Sequence, residues 1–189
     1  MHLRLSTYKS PMSSILLVTD ETGVLRALDF VGYESRMNRL LRDHYREYTL
    51  TKGTPPAKVV RELDAYFAGD MNASDRIPTA TGGTAFQRAV WRALRSIKPG
   101  TTKTYGQIAA KIGRPTASRA VGAANGANPI ALIVPCHRVI GANGTLTGYA
   151  SGLARKQWLL EHEVVHTAAA PARKSPTTRT RTKTAACPS

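Results

Sequence analysis

Apolar positions along the chain fall into two regimes. Ile15-Leu16-Leu17-Val18-Thr19 is a strand-like run, Asp20-Glu21-Thr22-Gly23 has turn chemistry, and Val24, Leu25, Leu28 and Phe30 resume the strand pattern. Together they predict an antiparallel hairpin. After Pro55-Pro56, the residues Val59, Val60, Leu63, Tyr66 and Phe67 have the spacing of one helical face, and Gly69 closes it. Residues 71–83 are polar and rich in breakers, which predicts a linker. Beyond it the period is helical. Phe86, Val90, Leu94 and Ile97 form one stripe up to Pro99-Gly100, and Thr84 stands three residues before Gln87 in the spacing of a capping box. Thr104 and Gln107 repeat that signal ahead of Ile108, Ala109 and Ile112, with Gly113 as the stop. A turn at Arg114-Pro115-Thr116 leads into residues 117–125, which are small and helical in character. Helix, short turn, helix predicts a helix-turn-helix, although helix pairs that bind nothing share the pattern.

Composition narrows the class. The chain has 189 residues, 42% of them apolar, enough for a buried core. The longest apolar run, residues 130–134, is far below the roughly 18 residues of a membrane helix. The N-terminus has no hydrophobic stretch of secretory type. Two cysteines, Cys136 and Cys187, make neither a disulfide framework nor a four-thiolate zinc site. His2 and His44 are isolated and are expected at the surface.

Charge changes the picture more. Residues 1–75 carry ten Lys/Arg and ten Asp/Glu, whereas residues 76–189 carry seventeen Lys/Arg and only Glu161 and Glu163. The whole excess of +15 therefore lies in the second part of the chain, which points to a polyanion, nucleic acid ahead of membrane. Within residues 117–125 a single long side chain, Arg119, stands among Ala117, Ser118, Ala120, Gly122, Ala123 and Asn125. So slim a helix suits a narrow minor groove better than base readout in the major groove, and suits tight helix packing as well. Residues 166–189 lack apolar periodicity and acids, and are expected to be a disordered basic tail.

The chemistry concentrates in one stretch. Cys136 ends an apolar run beside His137 and Arg138. A free thiol is only a few per cent ionised at neutral pH, so a nucleophilic cysteine needs a base or a positive neighbourhood. His137 supplies a base, and Glu163 is placed downstream to orient it. A buried structural cysteine is the bland alternative, and Arg138 also fits a purely structural hydrogen-bonding role.

Pro135-Cys136-His137-Arg138-Val139-Ile140-Gly141 resembles the active-site signature of the O6-alkylguanine-DNA alkyltransferases. Tyr105-Gly106-Gln107-Ile108-Ala109, Arg119-Ala120-Val121-Gly122, Asn128-Pro129, Gly148-Tyr149 and Leu159-Leu160 stand in that family's order and spacing. The resemblance is strong over residues 84–163, looser over 1–75 and absent in the tail.

It implies an α/β N-terminal domain over residues 1–78, ribonuclease-H-like, with a small antiparallel sheet and a helix. A mostly helical domain with a winged or plain helix-turn-helix follows over 79–165. It also implies transfer of an alkyl group from O6-alkylguanine, and O4-alkylthymine, to Cys136 in a single-turnover reaction. His137 would be the base, acting through a water, and Glu163 its support. Asn128 would brace the turn and Tyr105 would protonate the departing base. Val139, Tyr149, Ala150 and Ser151 would line the substrate pocket. Ser151 stands where the family often has glycine, so a narrower pocket and weaker acceptance of bulky adducts are expected. Arg119 would enter the base stack when the nucleotide flips out.

The implied partner is double-stranded DNA, bound by a monomer largely without sequence preference, with cooperativity left open. No cofactor and no metal are expected. The location would be cytoplasmic in a bacterium and nuclear in a eukaryote. A lesion-binding relative lacking the cysteine, a helix-turn-helix regulator and a cysteine hydrolase are the competing classes. Cys136 argues against the first, and the shortage of acidic residues against the last.

Overall fold

The computed structural model describes residues 1–168. Strands β2 (Ser14–Asp20) and β3 (Leu25–Phe30) form the antiparallel hairpin that the hydrophobic runs predict, and β1 (His2–Lys9), which they do not mark, extends it to a meander. The chain then passes through helix α1 (Glu34–His44) before strand β4 (Thr49–Lys52). This crossover brings β4 in parallel to β1, so the sheet is mixed, in the order β3-β2-β1-β4, where an antiparallel one was expected. Five consecutive residues of β2 are buried because both faces of the sheet are covered. Leu16, Val18 and Ala27 pack on Met37 and Leu41 of α1. Ile15, Leu17, Leu28 and Phe30 pack on Leu63 and Tyr66 of helix α2 (Ala57–Phe67) and on the second domain.

Residues 71–83 are not a free linker. Met71, Ala73, Ser74 and Ile77 are buried around a 3-10 turn at Ala73–Arg76. The Leu25 N–H donates to the Pro78 carbonyl at 2.9 Å. Apolar residues spaced among turn-formers gave this segment a polar look while anchoring it. His44 corrects a second expectation: it is half-buried, with its ring edge-on to Trp91 at 5.6 Å.

Helix α3 (Ala85–Arg95) opens with the Thr84/Gln87 capping box. After strand β5 (Lys103–Thr104), helix α4 (Tyr105–Lys111) opens with the Thr104/Gln107 box. Each cap stabilises its helix by about 1 kcal/mol. Gly113 leaves α4 at φ 72, a left-handed conformation that glycine adopts without strain. The turn then delivers helix α5 (Ser118–Gly126), completing the helix-turn-helix. The Trp91 indole donates to the Ala124 carbonyl at 2.9 Å and locks α5 onto α3.

Strand β6 (Val139–Ile140) pairs in parallel with β5, and helix α6 (Leu153–Ala168) ends the described chain. The expected tail boundary at residue 166 is therefore too early: α6 runs to Ala168, and the Thr167 hydroxyl donates to the Glu163 carbonyl at 2.7 Å. The rest of that segment, with Cys187, lies outside the described residues. One apolar core spans both domains, and residues 129–131 pair with β3 through Leu28 N–H to Pro129 O and Ala131 N–H to Leu28 O.

Candidate active site

The segment joining α5 to β6 is held before Cys136 is reached. Asn128 donates from Nδ2 to the Val134 carbonyl at 2.8 Å and accepts the Ile130 N–H at 3.0 Å. These two bonds close the loop ahead of Cys136. Within it Leu132, a non-glycine residue, sits at φ 70, a sparsely populated conformation that persists only where its surroundings over-determine it. Cys136 follows in a 3-10 turn with His137 and Arg138, all three buried. Burial pushes the Cys136 thiol above its ordinary value, against weaker opposing pulls from Asn128, Arg36 and Lys156. The resting group is therefore the thiol, and attack needs a base.

His137 and Glu163 are fully buried together. His137 Nε2 lies 2.8 Å from Glu163 Oε1, while His137 Nδ1 has no hydrogen-bond partner. Burial lowers the imidazole pKa, and the Glu163 carboxylate offsets this only in part. His137 is accordingly a neutral ring that donates from Nε2 and keeps Nδ1 free to accept a proton. The full charge partner of Glu163 is Arg138, whose Nε and Nη2 reach the carboxylate at 2.8–3.1 Å and whose Nη1 donates to the Ile97 carbonyl. Burial raises the Glu163 pKa, but His137 and Arg138 outweigh it and hold the carboxyl well below the usual range. The structural role considered for Arg138 is thus the geometry observed.

Lys156 was not singled out by sequence reasoning. It is fully buried on α6, and its ammonium donates to the carbonyls of Val139 at 2.5 Å and Thr147 at 2.6 Å. Desolvation lowers its pKa to about 8. It ties β6 to the loop that carries Tyr149, Ala150 and Ser151. Of these, Tyr149 is buried with an unpartnered hydroxyl and Ala150 is exposed. Ser151 is buried, but its hydroxyl donates to Asp29 Oδ1 at 2.9 Å, so it faces the N-terminal domain instead of narrowing a pocket. Asp29 in turn pairs with Arg36, which also donates to the carbonyls of Gly126 and Asn128 at 2.9 Å. A lone Asp and a lone Arg in the first domain give no sequence signal of this strap.

Tyr105 and Arg119 both open on the outer face. They line one cleft of about 390 Å³ with Thr104, Gly106, Ser118, Gly122 and Ala142. Burial raises the Tyr105 phenol, which makes only a long 3.4 Å contact to the Thr147 carbonyl. A Cβ at Gly148 would stand 2.9 Å from that hydroxyl, so glycine keeps the phenol in place. On α5, Arg119, Ala120 and Ala123 are exposed, and Ala117, Ser118 and Gly122 are partly so. Asn125 departs from the expected DNA-facing set. It is buried, and its Nδ2 reaches the Cys136 carbonyl at 3.5 Å, because helical periodicity turns it inward with Val121 and Ala124. A cleft of about 780 Å³ lies between α1, the start of α3 and α5, and Cys136 is not among the residues that line it.

Among the described residues no cluster of three metal-ligating side chains occurs, and no helix is long and apolar enough to cross a membrane. Fold and site together define a two-domain helix-turn-helix protein with a buried cysteine next to a buried, hydrogen-bonded histidine–glutamate pair. The chain belongs to the 6-O-methylguanine DNA methyltransferase family. The family's ribonuclease-like domain matches residues 3–81 and its DNA-binding domain residues 85–165. The methylated-DNA–protein-cysteine methyltransferase of Salmonella typhimurium is 54% identical over 156 residues, 82% of this chain and 91% of its own. The crystal structure of the Mycobacterium tuberculosis O6-methylguanine methyltransferase superposes with a TM-score of 0.71 at 42% identity, covering 90% of this chain and 96% of that one. The M. tuberculosis OGT in complex with DNA gives 0.69 at 41%, covering 91% and 96%.

Proposed function

We propose that this protein repairs DNA by moving the alkyl group of O6-alkylguanine, and of O4-alkylthymine, irreversibly onto Cys136. The observation that carries this reading is the buried His137 ring next in sequence to Cys136, with Nε2 hydrogen-bonded to Glu163 and Nδ1 without a partner. The thiol proton passes to His137, and the thiolate attacks the alkyl carbon in a direct displacement. A carbon–sulfur bond forms as the carbon–oxygen bond to guanine O6 breaks, and the electron pair leaves with the base. Tyr105 donates to the guanine ring as that charge develops. The product is a thioether, which water does not hydrolyse, so each molecule acts once. Val139, Tyr149 and Ala150 line the receiving pocket. The second lone pair of the Val139 carbonyl remains for the guanine amine beside Lys156.

DNA enters along the exposed small-residue face of α5 from the minor groove, and Arg119 fills the stack behind the flipped nucleotide. Binding is by a monomer and independent of sequence, and phosphate contacts make it steeply salt-sensitive. The test is transfer of labelled methyl from O6-methylguanine duplex, with the label located by peptide mass. Incorporation that plateaus stoichiometrically with protein, on the Cys136 peptide, is the expected result. Continuing turnover, or lesion binding without transfer, overturns the reading.

Arg119→Ala separates flipping from chemistry. Extruding a base costs a few kcal/mol, so repair of duplex should slow by roughly ten- to a hundredfold. Reaction with the free base should stay within about twofold of wild type. Equal losses on both substrates would remove Arg119 from the flipping step.

A further inference from the structure

We propose that Tyr66 is a positioning residue for the transfer: from the N-terminal domain, its phenol fixes the Glu163 oxygen to which the His137 ring is hydrogen-bonded. The inference rests on the reading of Cys136, His137 and Glu163 given above. Tyr66 lies on α2 and is fully buried, and its hydroxyl donates to Glu163 Oε1 at 3.0 Å. The same oxygen accepts from His137 Nε2 at 2.8 Å. The other oxygen accepts the Gly100 N–H at 3.1 Å. The phenol ring is itself held, edge-on to Phe67 at 5.3 Å and against His162 at 5.5 Å. Burial and the adjacent carboxylate push its pKa well above the ordinary value, so it remains a donor wherever the reaction is run.

The physical consequence has a sign. Each donor on Oε1 spreads the carboxylate charge and weakens its pull on the His137 proton. Without the phenol, Oε1 draws harder on Nε2–H and favours the imidazolium, which cannot take the proton from Cys136. The other ionisable groups around the pair are Arg138 and Cys136 on the 3-10 turn and Lys156 and His162 on α6. All of them remain when only the Tyr66 hydroxyl is removed. Arg138 and Lys156 continue to oppose a protonated ring. A change in the histidine is therefore assignable to the phenol.

Tyr66→Phe keeps the ring and its packing. In the full-length protein, single-turnover transfer from O6-methylguanine duplex and from the free base is followed across pH. The acid limb should move upward by about one pH unit on both substrates, as expected for a lost hydrogen bond to a charged group. On the acid side of both limbs the rate should fall by up to about tenfold. Val59→Ala, on the same helix and buried in the same core, should lower the melting temperature with a wild-type pH profile, the signature of packing alone. Titration of 15N-histidine-labelled protein reads the His137 ring directly and should show the same upward shift in Tyr66→Phe. Superimposed rate profiles and unshifted ring signals would overturn the proposal. A wild type that accepts no methyl group overturns the transfer reading instead, and the ring titration still decides the role of Tyr66.

Discussion

Glu163→Ala should lose both transfer and stability. The carboxylate sits where His137, Arg138, Tyr66 and the Gly100 N–H converge, with no solvent access. Its removal leaves the Arg138 guanidinium buried without a counter-charge, a change that costs about 3–5 kcal/mol when one partner of a buried pair is deleted. The same deletion frees the His137 ring to rotate and removes its support as a base, so transfer should fall by at least roughly a hundredfold. Urea unfolding and single-turnover transfer, measured on the same preparation below its melting point, check the two losses separately. Loss of stability with transfer retained would mean that Glu163 only neutralises Arg138.

The pH dependence of stability follows from the same pair. The Glu163 carboxyl is depressed in the folded state, so its contribution is fully present above the unfolded carboxyl value of roughly 4.3 and is lost as pH falls below it. His137 is also depressed, and its contribution is present above the unfolded imidazole value of roughly 6.5 and is lost as pH falls from there. Wild type should therefore weaken toward acid from near neutrality, and Glu163→Ala should lack the lower part of that decline.

Cys136→Ala should abolish transfer while leaving the fold and the affinity for alkylated duplex in place. The side chain is small, and its replacement by alanine removes one sulfur from a packed site, a cost on the order of 1 kcal/mol. The backbone bond from Cys136 N–H to the Val134 carbonyl and the Asn128 brace are untouched. Label incorporation, a urea midpoint and binding to O6-methylguanine duplex over a salt series give the three readouts. Residual stoichiometric incorporation in the variant would move the acceptor elsewhere, with Cys187 the first candidate to examine. Affinity lost with the thiol would show that Cys136 also contributes to lesion binding.

Legibility differed between the parts of the chain. The two capping boxes, the Gly113 stop and the small-residue helix were readable because they are local devices, set by hydrogen bonds within one turn. Helix α1 was not, since its buried face consists of Met37, Leu40 and Leu41 in an otherwise charged segment. Strand β4 was not either. Its four residues include only Leu50 as an apolar position, and it is a strand because β1 offers it an edge. Residues 71–83 looked like a linker because Asn, Asp, Pro and Gly punctuate it, while its few apolar side chains do the anchoring.

By itself, the sequence determined where the chemistry-bearing residues concentrate and where the slim helix lies, because Cys136-His137-Arg138 is contiguous and Arg119 stands alone among small residues. Only the tertiary structure decided what surrounds them. Tyr66 on Glu163, Asp29 on Ser151, Arg36 on the α5 terminus and Lys156 on Val139 join residues 17 to 122 positions apart. A charged or phenolic side chain carries no local mark of burial. Its role is set by desolvation, which strengthens each hydrogen bond it makes and penalises each one it lacks, and that environment exists only when the two domains close on one core.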